Sequence, residues 1–223
     1  MRGSRQDGGE LMGYYIRILS KNLDDIPVED LRKVARPAVI EMAEEGKDGW
    51  EQLVLKHASG PEIAIVEKNP VIDGQLGAKE LQEFIEEVAH YKPASAADWL
   101  QNYLSSITII YAFQLLSGTD VADGWTLLHQ VYSAIRNRAG GICQADGEGF
   151  SNEDGFTILW QFSENVNGSW KLGILSKERR WVHFEMELGN KEQRDAFQRG
   201  EIPSGGETSF LIELKLAFCW APG

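Results

Sequence analysis

The amino-acid sequence predicts an α+β fold in which mostly antiparallel sheet packs against amphipathic helices. Three features predict it. Segments with strict apolar alternation recur along the chain, and segments with helical spacing lie between them. Several of the joints between strands are short turns suited to hairpins rather than long crossovers. The expected order is a βαββα N-terminal part, two long helices, and then a β-meander closed by a short helix and a terminal strand.

Residues 1–11 are polar and glycine-containing and read as a disordered leader, with Met12 directly before the first strand. GYYIRILS (13–20) is that strand and carries two adjacent tyrosines. Pro27 suits the start of a helix whose Leu31, Val34, Ala35, Ala38 and Met42 recur at helical spacing, with Pro37 expected to kink or split it. EQLVLKH and EIAIVEK flank ASGP and predict a hairpin over 51–68. LGAKELQEFIEEVAHY (76–91) is amphipathic, with Leu81, Phe84, Ile85 and Val88 on its buried stripe.

Pro93 followed by ASAADWL opens a second helix, read through Leu116 to a stop at Gly118. Its apolar run ITIIYAFQLL (107–116) is too short to span a bilayer and suits a buried helix. A third helix follows Asp123-Gly124 and ends at Gly140-Gly141. TILWQF, SWKLGIL and WVHFEMEL then read as three strands, with Trp160 and Trp170 on neighbouring strands and able to pair. KEQRDAFQRG (191–200) is a short helix. Residues 203–223 form a loop plus a terminal strand or a non-native tail, since Phe210, Ile212, Leu214, Leu216, Phe218 and Trp220 alternate on one face. The expected unit is a single domain over 12–202, with 12–92 and 93–202 as the alternative sub-lobes.

The net charge is −12, from 34 acidic against 22 basic residues. That balance disfavours nucleic acid and anionic membrane surfaces, both of which need basic patches, and favours a basic protein partner. No stretch resembles a signal peptide, so a soluble cytoplasmic protein is expected. Cys143 and Cys219 lack metal-ligand spacing and read as free thiols.

Two stretches carry candidate chemistry. GGICQADGEGFSNEDG (140–155) sets Asp146, Glu148, Glu153 and Asp154 among glycines. Both registers of a calcium-binding helix–loop–helix fail, because Gly141 and Cys143, or Phe150, fall where oxygen ligands are required. Turns around a short strand, a protein contact, and an irregular cation site all remain open. In WVHFEMEL, Val182, Phe184, Met186 and Leu188 form a core face, while Trp181, His183, Glu185 and Glu187 line the other. Trp181 rides on that polar phase, as an exposed interface anchor would. The four histidines lie in separate elements without zinc spacing, and GFSNEDG lacks the second glycine of a nucleophile elbow.

No metal site and no cofactor are expected. The leading expectation is an acidic interaction module, immunity- or inhibitor-like, that presents Asp146, Glu148, Glu153, Asp154, Trp181, His183, Glu185 and Glu187 to a basic protein. The alternative is a metal-dependent or acid–base hydrolase that uses the 146–154 carboxylates with His183 and Glu185. A homodimer paired through the C-terminal strand is the third.

Overall fold

The computed structural model describes residues 13–47 and 49–204, and the backbone of 207–208. The expected leader and the terminal strand from Ser209 onward lie outside the described residues. Among the described residues, five α-helices and a mostly antiparallel arrangement of strands make this an α+β protein.

The main sheet has seven strands in the order β2-β3-β4-β5-β1-β6-β7. These are β1 (Tyr15–Ser20), β2 (Val39–Gly46), β3 (Gly49–Lys56), β4 (Glu62–Pro70), β5 (Ile109–Leu115), β6 (Ile142–Ala145) and β7 (Gly149–Ser151). Every neighbouring pair is antiparallel. The pairing crosses residue 93, because β5 lies between β4 and β1. A smaller sheet has the order β10-β9-β8, from β8 (Ser169–Leu175), β9 (Trp181–Glu187) and β10 (Glu207–Thr208). Thr157 links the two sheets, bridging to Ser151 on one side and Leu172 on the other.

Helices cover both sides of the main sheet. On one side, Leu31 of α1 (Val28–Val34) and Leu128, Val131 and Ile135 of α4 (Gly124–Ala139) pack on Ile18, Leu53, Val66, Tyr111 and Phe113. On the other, Leu81, Phe84 and Val88 of α2 (Leu76–Val88) and Leu100 and Leu104 of α3 (Ala94–Leu104) pack on Leu19, Ile110, Ile142 and Phe150. The small sheet has its own cluster, in which Phe197 of α5 (Lys191–Gln198) meets Leu172, Phe184 and Met186.

Three expectations are corrected. The helix expected through Met42 ends at Val34, and Met42 lies on β2. Pro37 is the reason: it has no amide hydrogen to donate, so the helical hydrogen-bond ladder cannot run through it. The helix expected from Pro93 to Leu116 ends at Leu104, and Ile109–Leu115 is the central strand β5. That strand is apolar on both faces because helices cover both, so it lacks the alternation of a half-buried strand. TILWQF is not a strand, since only Thr157 bridges; Trp160 and Trp170 meet through Phe162, at 5.2 and 5.4 Å between ring centroids, rather than across a ladder.

Candidate functional site

The acidic stretch folds as a hairpin, and its two carboxylate pairs sit in the turns at either end of β7. Gly141 opens it with φ 96°, where a Cβ would lie 2.1 Å from the Leu19 carbonyl oxygen, so the chain can enter β6 only as glycine.

In the first turn Asp146 is held from three directions. Its Oδ2 accepts the Tyr15 amide at 2.9 Å, its Oδ1 accepts Arg17 Nη1 at 2.7 Å, and its own amide donates to the Tyr15 carbonyl at 3.1 Å. Arg17 also donates through Nε to Glu80 Oε1 at 2.5 Å and through Nη1 to Gln144 Oε1 at 2.7 Å. The cation is thus shared between two carboxylates and a neutral amide, with its side chain only 12% exposed. Asp146 ties the hairpin to β1. Glu148 lies beside Tyr14, whose phenol is pushed up by burial and then by that carboxylate.

The second turn is organised by Asn152, which is 1% exposed. Its Oδ1 accepts the amides of Asp154 at 3.1 Å and Phe156 at 3.0 Å. With the oxygen committed, its amide nitrogen faces His183 Nε2 at 3.1 Å. A carboxamide nitrogen only donates, so Nε2 accepts and the imidazole is neutral. The ring stacks on Phe156 at 3.8 Å, and burial holds its pKa below the ordinary histidine value while Asp154 partly opposes. Gly173 lies directly opposite His183, where a Cβ would come into van der Waals contact with His183, Phe156 and Trp181 at 3.4 to 3.5 Å.

Glu153 and Asp154 then diverge. Glu153 Oε1 accepts the Tyr103 hydroxyl at 2.5 Å, and its carbonyl accepts Arg136 Nη2 at 3.1 Å. The Asp154 side chain is 63% exposed, with Oδ2 3.5 Å from His183 Nε2. Trp181 is half-buried and sits edge-on to Trp99 at 5.0 Å, which in turn lies 4.9 Å from Tyr103. Trp181 is thus less open than the exposed anchor expected from phase alone; α3 covers the start of β9 and shields one side of the indole. Glu185 and Glu187 are exposed farther along the same strand face, with Glu185 accepting the Ser169 hydroxyl at 2.6 Å.

The eight predicted residues therefore separate. Glu153, Asp154, Trp181 and His183 gather around Asn152, Glu185 and Glu187 extend that face, and Asp146 and Glu148 belong to another part of the sheet. Sequence reasoning passed over Asn152, Trp99 and Arg17. The first carried a signal, since Asn ahead of an acidic Glu-Asp-Gly turn suits a side-chain-to-backbone turn; the other two depend on pairing across distant strands and helices.

Among the described residues, no group of three or more His, Cys, Asp and Glu side chains is placed to hold a metal ion. None of their helices is long and apolar enough to cross a membrane. Comparison with protein-family models finds no match, and neither does comparison with curated proteins or with solved structures.

Proposed function

We propose that this chain is an acidic interaction module, immunity- or inhibitor-like, that docks a basic protein through the face formed by β9 and the turn after β7. The observation that carries this reading is the outward row of Asp154, Glu185 and Glu187 beside the half-buried Trp181–Trp99 pair. Aromatic side chains supply contact area at low entropic cost, and the flanking carboxylates steer a cationic partner. His183 steadies the same face: its Nε2 is engaged by Asn152 and its ring by Phe156. The overall charge of −12 extends the attraction beyond contact distance.

The test is binding of a panel of cationic proteins, such as lysozyme and cytochrome c, followed by the quenching or shift of tryptophan fluorescence. Affinity for a true partner class should fall at least ~10-fold between low and moderate salt. It should fall further in Trp181→Ala and Asp154→Lys. Affinities indifferent to salt, or unchanged in both variants, would exclude this face as the docking surface.

A further inference from the structure

The two sides of the main sheet are covered unequally. α1 and α4 cover one side as far out as Leu53 and Leu55 of β3 and Ile40 of β2. On the opposite side, α2 and α3 cover the ends of β1, β5, β6 and β7 around Leu19, Ile110 and Ile142. Farther out, this second side carries the rung Glu41, Val54, Ile65, Gln114 and Tyr15, which the register sets side by side. Val54 and Ile65 are half-buried, yet they neither belong to nor pack against any of the three apolar clusters. Among the described residues, then, half of one sheet face has no helical layer.

The charge on that half is one-sided. Lys56 is clamped between Glu41 at 2.7 Å and Glu62 at 3.2 Å. Arg17 is clamped between Glu80 at 2.5 Å and Asp146 at 2.7 Å. Glu67, half-buried in the middle, accepts only the neutral Gln52 amide at 3.2 Å among its described hydrogen bonds, and no described ion pair reaches it. Three carboxylates, Glu41, Glu62 and Glu67, thus face one cation, Lys56, on the open half, while Arg17 at its border is already held by Glu80 of α2 and by Asp146. The phenol of Tyr15 next to it is raised, first by burial and then by Glu67.

We infer that a basic amphipathic helix of a partner protein docks on this open half of the sheet, with its apolar side chains on Val54 and Ile65 and a Lys or Arg reaching Glu67. A helix is the occupant because each covered part of the sheet packs against helices, and the open half continues the layer that α2 and α3 begin. The cation is called for because Glu67 is met by the neutral Gln52 amide and, among the described residues, by no ion pair. The inference rests on the reading of the protein as a docking module and adds a surface that lies apart from β9.

The test is an amide chemical-shift titration of the full chain with a 14-residue peptide of Leu and Lys at helical spacing, alongside a counterpart with Glu replacing Lys. The expected result is saturable shifts centred on Tyr15, Val54, Ile65 and Glu67 for the Lys peptide alone. Glu67→Lys should weaken binding at least tenfold, Glu67→Gln should weaken it less, and Glu164→Lys, a charge control on a distant exposed turn, should leave it unchanged. A native amide spectrum for Glu67→Gln keeps the comparison valid should Glu67→Lys fail to fold. Shifts confined to Asp154 through Glu187 would overturn this inference while upholding the β9 docking face; shifts at neither surface would count against both. Equal binding of the Glu peptide, self-association through this face, or binding that needs removal of residues 209–223 would each overturn the inference.

Discussion

The two turns that flank β7 carry the same chemistry in the sequence and opposite roles in the structure. In the turn before it, Asp146 is drawn inward by Arg17 and the Tyr15 backbone. In the turn after it, Asp154 points outward, and the inward tie is made by a neutral side chain, Asn152. What differs is the neighbour in register. Arg17 lies opposite Gln144, two residues from Asp146, so a cation waits there. The residue facing the second turn is a half-buried neutral imidazole, which offers an acceptor and no charge. A carboxylate goes inward where a cation compensates its lost hydration and otherwise stays in water.

The largest test of this contrast is Asn152→Ala. It leaves the Asp154 and Phe156 amides and His183 Nε2 without their partner. Unsatisfied buried groups of this kind cost enough that a loss of about 3 kcal/mol is expected in chemical denaturation. A loss under about 1 kcal/mol would mean that water replaces the side chain and that Asn152 does not organise the turn.

Arg17→Met comes next. It strands Glu80 and Asp146, whose side chains are 18% and 38% exposed, so solvent softens the penalty. About 2 kcal/mol of destabilisation is expected, with partial recovery in the double variant Arg17→Met/Asp146→Asn. Strict additivity of the two substitutions would show that the pair is not coupled.

The third test is pH. Burial holds the His183 pKa below its ordinary 6.5. As pH falls, the unfolded chain takes up this proton before the folded one does. Stability from a neutral His183 is therefore complete above about pH 6.5 and is lost as pH falls through the folded-state value. His129 is also held down by burial and acts in the same direction. Comparison with His183→Gln isolates the share of His183: the fall in melting temperature between pH 7 and 5 should become shallower. An unaltered slope would show that His183 is not the group that titrates.

The smallest effect is expected at Asp154→Asn. An outward carboxylate contributes little to stability, so the change should stay within about 0.5 kcal/mol, against about 1 kcal/mol for Asp146→Asn. Equal losses at the two positions would erase the distinction between the turns.

Local pattern made much of the fold legible. The alternation in EQLVLKH and EIAIVEK identifies β3 and β4, and the apolar spacing of LGAKELQEFIEEV identifies α2. SWKLGIL and WVHFEMEL are strands, and KEQRDAFQ is a helix. In the candidate site, the strand phase correctly placed Trp181 and His183 on the face with Glu185 and Glu187. It did not reveal that α3 and Phe156 cover one end of that face and leave the other open.

These successes share a cause. Turn chemistry and amphipathic period are written in residues a few positions apart, so the chain by itself determined the helices α2, α4 and α5, the β3–β4 hairpin and the acidic turns. Tertiary structure alone decided that Ile109–Leu115 is a strand, because a segment covered on both faces loses the alternation that distinguishes strand from helix. It also decided which carboxylates face inward. That choice depends on cations brought close by pairing between residues more than a hundred positions apart, as Arg17 is to Asp146, and no local pattern encodes it.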